Sequence, residues 1–519
     1  HILTRHEQSA AHMADGFGRV SRKPGVCFAT SGPGATNILT GIATAQADSS
    51  PMIAVTGQVP VAMIGKDAFQ ESDIIGMANP VVKYAFQPRL PEDVPEAVRK
   101  GFYIAETGRP GPVLIDVPKD VQQNEAPMEF PEEFKIQGYH PWYDPDMVAC
   151  EKAIEMLLNS EKPIILAGGG TIISSAFAEL QSIAETLMLP VVTTFKGKGA
   201  FPENHPLSLG PIGMHGHAEA NKMMAEADCV LAIGTRFSDR SVGTFEAFEK
   251  RLKIIHMDVD PAEIGKNQTT SLAVVGDVRT SLRVMVKLLL QKSIKKNEES
   301  LWVKHVKETK AYWKENLKLH PGEMGAAKIL RKLRELLPKE SIVTTEVGQH
   351  QMWASLFYDV IQPGTFFSST GLGTMGWGFP ASIGAKVARP DVPVVDIAGD
   401  GSFSMTENSL ATAVLEDIPV IVFVLNNSTL GMVAQWQRTF YDRRMIGVDQ
   451  GGCPDYVKLA ESYGAQGIRA QSMDELDKAI KTAISSDVAT VIDIPIDPEE
   501  DVLPFVAPGT SLSDMILPS

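Results

Sequence analysis

Cysteine is scarce. The chain has four in 519 residues, Cys27, Cys150, Cys229 and Cys453, and no C-x-x-C pair. That spacing excludes a zinc-finger ligand set and argues against a disulfide framework; buried or incidental thiols in a reducing compartment account for them. No apolar run reaches the roughly 18 residues that span a bilayer. Basic residues are outnumbered 48 to 63, for a net charge of −15, so no basic field exists to steer nucleic acid or an anionic membrane surface. No short repeat and no low-complexity tract is visible. An initiator methionine is also missing. The chain opens on His1 and runs at once into a motif, so its true N-terminus, and any targeting peptide, is expected to lie outside this sequence.

What is present is an ordinary globular composition, 44% hydrophobic and 21% charged. The chain is too long for one core, and at roughly 100–200 residues per domain three domains are expected. Short β-branched runs recur at 26–30, 52–57, 113–117, 164–168, 190–194, 230–234, 254–258, 342–345, 392–398, 420–425 and 490–494, each followed by a helical pattern. Most are continuous apolar runs, which predicts parallel strands covered on both faces. Two stretches break the rhythm. Residues 122–146 are rich in Pro, Glu and aromatics; residues 291 to 323 open on a charged patch and continue into a polar helix. Read as linkers, they divide the chain into domains 1–125, 147–290 and 325–519. The expected fold is α/β, with three doubly wound parallel-sheet domains, and such sheets bind ligands at the carboxyl ends of their strands.

The run at 392–398 ends in Gly399-Asp400-Gly401-Ser402, and the next, 420–425, ends in Asn426-Asn427. Between Gly401 and Asn426 lie 24 residues, enough for one crossover helix and a return strand, so both ends should reach the same sheet edge. A carboxylate flanked by glycines approaches a metal without obstruction. With an Asn amide oxygen and a nearby carbonyl it forms a partial oxygen shell, which magnesium completes with phosphate oxygens. Alone, Gly-Asp-Gly is equally a surface turn; with Asn-Asn at this spacing it points to a magnesium-bound diphosphate. Upstream, Gly371-Leu-Gly-Thr-Met-Gly376 satisfies G-x-G-x-x-G, after 366–369 and before a helix-like 380–388. A dinucleotide reading needs an acidic residue about 20 positions on, which falls on Asp396 inside a buried strand. The rival reading uses these glycines to let backbone approach a diphosphate and the ring it carries.

The pair Gly-Asp-Gly and Asn-Asn resembles the cofactor-binding signature of thiamine diphosphate enzymes. The resemblance assigns magnesium to Asp400, Asn427 and the carbonyl of Thr429. Such an enzyme needs a carboxyl group facing N1′ of the aminopyrimidine, so that the 4′-imino group can take the proton from thiazolium C2. A mostly apolar niche would raise the pKa of that carboxyl. Glu7, in Thr4-Arg-His-Glu7-Gln-Ser-Ala, is the candidate, although a Glu at a helix start is also a plain solvated charge. Six further motifs extend the pattern: Ser31-Gly-Pro-Gly-Ala-Thr-Asn37, Val55-Thr-Gly-Gln-Val-Pro60, Gly65-Lys-Asp-Ala-Phe-Gln-Glu71, Gly108-Arg-Pro-Gly-Pro112, Asp116-Val-Pro-Lys-Asp120 and Val347-Gly-Gln-His-Gln-Met-Trp353. With Gly431-Met-Val-Ala-Gln-Trp-Gln437 they resemble, along the whole chain, the large catalytic subunit of acetohydroxyacid synthase, also called acetolactate synthase.

That resemblance implies a role for each matching residue. Glu7 is the N1′ partner. Gln349, His350, Gly399, Gly401 and Ser402 attend the diphosphate, Met375 lies beneath the cofactor, and Met432 and Val433 line the space beside the thiazolium. Trp436 favours a larger second 2-oxoacid, although an aromatic there can equally be ordinary packing. Arg240 binds the second substrate's carboxylate, which a guanidinium matches in geometry. Phe69, Gln70 and Lys119 line the substrate channel from a neighbouring subunit, with Lys119 equally readable as a surface lysine. An FAD site draws on Gly169, Gly170, Thr194, Gly213, Met214, His215, Gly234, Arg236, Asp258 and Asp277, with Arg109 added from the first domain; a glycine triplet after a strand is also a plain tight turn. The flavin is structural, since the reaction has no net redox step.

The implied activity decarboxylates pyruvate on thiamine diphosphate and condenses the hydroxyethyl carbanion with a second pyruvate or 2-oxobutyrate. The products, 2-acetolactate or 2-aceto-2-hydroxybutyrate, lead to branched-chain amino acids. The resemblance further implies a homodimer or homotetramer with active sites at the subunit interface, a small regulatory subunit, and a cytoplasmic location, with plastid or mitochondrion open. It implies that a first strand and a Gly-rich loop, roughly 30–50 residues, precede His1. Glu346, Lys66 and Ser404 are less usual for the family, and none is expected to touch the chemistry. Two rivals stay open: an FAD-dependent pyruvate oxidase or other 2-oxoacid lyase, and a cofactor-free structural or regulatory subunit. Intact Glu7, Asp400 and Asn427 argue against the second.

Overall fold

The computed structural model describes residues 1–519 except 128, 131–133, 142–143, 244–251, 297–298, 453 and 519. Cys453 and parts of both expected linkers therefore lie outside the described residues. Every apolar run named above is a strand. Among the described residues three larger sheets form in which every registered pair is parallel, and a small fourth sheet pairs Phe505–Val506 with Met515–Ile516 antiparallel. The α/β doubly wound expectation is thereby met.

The chain folds into two compact units. One comprises residues 1–141, 336–351 and 367–498; the other comprises 142–335, 352–366 and 499–519. The first unit holds two sheets. One contains β1 (Gly25–Ala29), β2 (Met52–Gln58), β3 (Tyr84–Phe86) and β4 (Pro112–Pro118), in the order β1-β2-β4-β3. The second unit's sheet contains β5 (Pro163–Ala167), β6 (Val191–Thr193), β7 (Ser208–Pro211), β8 (Cys229–Ile233), β9 (Lys253–Asp258) and β10 (Leu272–Val275). The remaining sheet contains β11 (Ile342–Thr345), β12 (Phe366–Ser368), β13 (Val394–Gly399), β14 (Ile421–Asn426), β15 (Gln466–Arg469) and β16 (Thr490–Pro495), ordered β12-β11-β13-β14-β16-β15. Central strands β4, β5, β8 and β13 are buried along their whole length, as strands covered on both faces must be.

In the first unit, the opening helix Glu7–Ser21 crosses the helix Gly378–Ala388 with almost no space between the backbones. A Cβ at Gly16 would lie 2.3 Å from the Ala381 carbonyl oxygen, and one at Gly384 would lie 1.9 Å from that of Met13. Only glycine permits this crossing, which explains the small-residue character of the opening helix.

The second unit has the strand order β10-β9-β8-β5-β6-β7, so the order reverses between β5 and β8. Ligands of such sheets bind in the crevice at that reversal, outside the carboxyl ends of the strands. The polar helix expected in the second linker is Leu301–Asn316, with Ser300 Oγ accepting from Val303 N at 3.2 Å as its N-cap. It does more than link. Trp302 and Val306 enter the core around β5 and β8, and the Trp302 indole donates to the Pro163 carbonyl at 3.0 Å. Its long exposed face made the helix read as polar, while one apolar stripe anchors it.

Candidate active site

In the third sheet β11 and β13 are neighbours, and the strand order reverses there too. β13 and β14 run in register, with Gly399 opposite Leu425 and Asp396 opposite Val422. Asp400 and Asn427 therefore leave the sheet at the same edge, as the spacing predicted. Asp400 opens the short helix Asp400–Phe403 and is buried. Its carboxylate accepts from Gln450 Nε2 at 3.3 Å. Its carbonyl is held by Ser404 Oγ at 2.9 Å and Tyr456 OH at 3.1 Å, so Ser404 supports the site from behind. Asn427 Oδ1 accepts from Thr429 N at 3.2 Å, across a sharp turn at Ser428 (φ 53°). Asn427 Nδ2 donates to Gln349 Oε1 at 3.2 Å, and Gln349 Nε2 donates to Gln435 Oε1 at 3.0 Å. Gln349, His350, Asp400, Ser402 and Asn427 thus converge on one edge.

Glycines shape this edge. A Cβ at Gly399 would lie 2.6 Å from His350 Nδ1, one at Gly401 2.8 Å from Gln450 Nε2, and one at Gly431 2.0 Å from Gln349 Oε1. Burial lowers the pKa of His350 to about 3, so the imidazole is neutral. Among the described residues no group of three or more His, Cys, Asp or Glu could hold a metal. One carboxylate with amide and carbonyl oxygens is instead the donor set of a magnesium ion that also leans on phosphate oxygens. The residues present fit such a group.

Glu346 departs from the sequence expectation. It is fully buried at the end of β11, with Oε1 3.7 Å from His350 Nε2. Its carboxyl and that of Asp396 converge on Gly378, where a Cβ would lie 1.7 Å from Glu346 Oε2 and 2.2 Å from Asp396 Oδ1. No lysine or arginine pairs with them among the described residues. Burial, joined for Glu346 by the facing Asp396, raises both pKa values, that of Asp396 to about 8, since two facing carboxylates cannot both ionise. This also removes Asp396 as a ribose ligand, and with it the dinucleotide reading of Gly371–Gly376. Below its ordinary value of 3.8 Asp396 is protonated in folded and unfolded chains alike; between there and about 8 only the folded chain keeps the proton. Stability should therefore decline across that window, by on the order of a few kcal/mol. Asp396→Asn should flatten the decline, measured as denaturant midpoints at pH 5 and pH 9.

The helix Gly431–Phe440 follows the metal-side turn. Met432, Val433 and Trp436, at i, i+1 and i+4, share one face and line a cavity of about 630 Å³ with Gln437, Tyr441, Arg444 and Ile446. Gln437 pins Ile446 through two hydrogen bonds, Nε2 to its carbonyl at 2.9 Å and Oε1 from its amide at 3.0 Å. Tyr441, Arg444 and Ile446 were not anticipated; they lie beyond the motif, where no strand end marked them. Met375 is half-buried in the turn between β12 and the helix Gly378–Ala388.

At the edge of the first sheet, Glu7 begins the opening helix. Its Oε2 accepts from Asn37 Nδ2 at 3.0 Å, and a Cβ at Gly34 would come within 3.2 Å of its Oε1. The Arg-His-Glu and Ser-Gly-Pro-Gly motifs therefore meet. The expected apolar niche is absent from the chain itself: Glu7 is only partly buried, and the Asn37 bond holds its carboxyl below the usual glutamate range. Gln70 (φ 60°) closes over Gly32, and Phe69 is 89% exposed. Lys119 lines a cleft of about 450 Å³ with Thr30, Ser31, Gly57, Gln58 and Gln122.

The residues expected to hold a flavin fall at the carboxyl ends of all six strands of the second unit's sheet: Gly169 and Gly170 after β5, Thr194 after β6, Gly213, Met214 and His215 after β7, Gly234 and Arg236 after β8, Asp258 closing β9 and Asp277 after β10. The glycines first serve close packing. A Cβ at Gly168 would lie 2.2 Å from the Gly234 carbonyl oxygen, and Gly170 N donates to that oxygen at 3.0 Å. Thr194 Oγ1 accepts from Gly197 N, and Asp277 caps the helix Val278–Gln291. His215 is buried against Phe505, and its Nδ1 has no partner among the described residues, which fits a polar group entering the crevice. Arg240 is 59% exposed, with Nη1 at 3.1 Å from Met214 Sδ. Arg109 belongs to the first unit, where Nε donates to Ser49 Oγ at 2.8 Å.

Reversals of strand order outlined by glycines, carboxamides and a lone carboxylate define an α/β enzyme of diphosphate chemistry, and three family models agree. Residues 1–77 match "Thiamine pyrophosphate enzyme, N-terminal TPP binding domain", 150–285 the central domain and 346–494 the "C-terminal TPP binding domain". The chain is 49% identical to a probable acetolactate synthase large subunit of Methanocaldococcus jannaschii, over all of this chain and 89% of the relative. It is 43% identical to the acetolactate synthase large subunit of Cyanidium caldarium (99% and 89% covered) and 42% identical to that of Corynebacterium glutamicum (99% and 83%). The chain belongs to the acetolactate synthase large-subunit family of thiamine pyrophosphate enzymes. No helix among the described residues is long and apolar enough to cross a membrane.

Proposed function

We propose that the chain decarboxylates pyruvate and joins the retained two-carbon unit to a second pyruvate or to 2-oxobutyrate, giving 2-acetolactate or 2-aceto-2-hydroxybutyrate. One observation carries this reading: the edge formed by Gln349, His350, Asp400 and Asn427 continues directly into an apolar cavity walled by Met432, Val433 and Trp436. Thiamine diphosphate, when bound, supplies a nucleophilic carbon and an electron sink for the decarboxylation.

The chain's own residues do the rest. Asp400, Asn427 and the Thr429 carbonyl would hold a magnesium ion, which would supply charge to bind the diphosphate. Neutral His350 and Gln349 offer uncharged hydrogen-bond partners there. Glu7 would hold a proton for the aminopyrimidine ring, and Met375 would support the cofactor. Trp436 narrows the acceptor site so that an ethyl group fills it better than a methyl. Arg240 takes the acceptor's carboxylate, and Phe69, Gln70 and Lys119 line its approach in the neighbouring copy of a dimer or tetramer. FAD, in a structural role, would be held at the crevice of the β5/β8 reversal. The domains run 1–125, 147–290 and 325–519. The large-subunit names of the relatives support a small regulatory partner. The buried free thiols Cys27, Cys150 and Cys229 support a reducing compartment, cytoplasm or organelle.

A product assay with pyruvate, with and without 2-oxobutyrate, tests the reading; absence of both acetohydroxyacids overturns it. The oxidase alternative predicts flavin bleaching by anaerobic pyruvate at the rate of product formation. Trp436→Leu should lower the preference for 2-oxobutyrate roughly tenfold, the worth of one methylene in a shaped pocket. Product ratios from mixtures of the two acids measure it, and an unchanged ratio removes Trp436 from the acceptor site.

A further inference from the structure

The turn that carries Met375 is built by residues for which the reaction itself has no use. Asp48 follows the helix Leu39–Ala47 and is 2% exposed. Its Oδ2 accepts from Thr370 N at 3.0 Å, and its Oδ1 accepts from Thr370 Oγ1 at 2.5 Å and Gly371 N at 2.9 Å. Behind it lies Arg19, 3.1 Å from Asp48 Oδ2 and clamped by Asp15 through Nε (2.8 Å) and Nη2 (2.7 Å). Arg19 Nη1 donates to the Ser368 carbonyl at 2.7 Å, and its guanidinium lies 4.3 Å over the Trp377 ring. Trp377 Nε1 donates to Asp15 Oδ2 at 2.7 Å.

Within the turn, Thr374 Oγ1 meets Thr44 Oγ1 at 2.7 Å. The Thr44 hydroxyl already donates to the Thr40 carbonyl, so Thr374 is the donor in that pair. Ser369 Oγ accepts from Thr374 N at 2.9 Å and closes the loop on itself. Gly371 packs so tightly that a Cβ would lie 2.5 Å from the Ala47 carbonyl oxygen. Residues 368–371 on one flank, and 374 and 377 on the other, are thus tied to 15–48, and Met375 sits between the ties.

Holding a loop down does not require this arrangement. Apolar packing does that without the cost of burying two carboxylates and a guanidinium. What hydrogen bonds add is direction: three donors from two consecutive residues on one carboxylate fix the orientation of the Thr370–Gly371 peptides. The diphosphate edge takes no part in the bonds of Asp48 and Thr44; it meets the turn at other atoms, through Gln351 Nε2 to the Ser369 carbonyl at 2.9 Å and Thr406 Oγ1 to the Gly376 carbonyl at 3.0 Å. We infer that Asp48, with Thr44, is a positioning pair that sets the Met375 turn for the ring end of thiamine diphosphate, independently of the diphosphate end. This rests on the function proposed above.

The test compares two ligands on the full chain by calorimetry with magnesium present: thiamine diphosphate and inorganic pyrophosphate. Asp48→Asn and Thr44→Val are the variants. If the set turn is only fractionally populated without these ties, affinity for thiamine diphosphate falls about tenfold in Asp48→Asn and by a smaller factor in Thr44→Val, while pyrophosphate affinity stays within about twofold. Equal loss of both ligands marks a merely structural role and overturns the inference, as does no loss of either. Should Asp48→Asn fail to fold, Thr44→Val alone decides by the same comparison. Failure of the unmodified chain to bind thiamine diphosphate overturns the thiamine reading and the inference together. Binding by it, with variants indistinguishable from it, overturns the inference alone.

Discussion

Glu7→Gln should bind thiamine diphosphate within a few-fold of the unmodified chain yet exchange the C2 proton of the bound cofactor slower by about 10² or more. Glu7 stands at the helix start, only partly buried, with no space to fill and few contacts to lose. Gln keeps the shape and the contact with the open position above Gly34, so folding and cofactor affinity should survive. It cannot accept a proton. The native carboxyl is held below the usual glutamate range by Asn37, and so is ionised at neutral pH and ready to share a ring proton. An acid limb in kcat/KM that belongs to Glu7 should accordingly lie below pH 4.5, the ordinary glutamate value, and should vanish in the variant. Quenched-flow hydrogen–deuterium exchange read by NMR measures the step; an unchanged exchange rate takes Glu7 out of the chemistry.

Asp400→Asn should lose affinity for thiamine diphosphate in the presence of magnesium by about 10²-fold or more, near 3 kcal/mol. Asp400 supplies the single carboxylate of the proposed shell, so the substitution removes its only negative charge while preserving volume. The surrounding support, from Ser404 and Tyr456, grips the backbone carbonyl and not the side chain. The fold should therefore persist, with far-ultraviolet circular dichroism unchanged. Titration with magnesium at fixed cofactor is the decisive measurement, and affinity within threefold of the unmodified chain excludes Asp400 as the metal's carboxylate.

Much of this architecture was legible in the sequence because central parallel strands are continuous apolar runs. The strands of the three parallel sheets that the pattern of runs did not include are β3, β7, β10, β12 and β15, and each stands at the edge of its sheet. Edge strands are less covered: Gln466-Gly-Ile-Arg469 carries no unbroken apolar signal, and Tyr84-Ala-Phe86, although apolar, is only three residues long and partly exposed. In the site, Asp400 and Asn427 could be brought together from spacing alone, because a crossover helix returns the chain to the same edge. Glu346, Asp396 and Asp48 could not. Their meaning depends on partners 30 to more than 300 residues away, and a buried acid in a strand looks in sequence like any other acid. The low pKa of Glu7 is hidden from the sequence for a related reason: Asn37, whose hydrogen bond is its largest cause, becomes a partner only once the helix start and the Ser-Gly-Pro-Gly turn lie side by side.

The glycine crossing of Gly16 over Ala381 carries a consequence for synthesis. The opening helix emerges from the ribosome about 365 residues before the helix it must touch. At roughly 5–20 residues per second its bare alanine face waits on the order of 20–70 s without its partner. Over that interval the nascent chain depends on chaperones, or on its own slow collapse, to keep that face from other chains, and synonymous changes that slow translation between the two helices should lower soluble yield without altering a single residue.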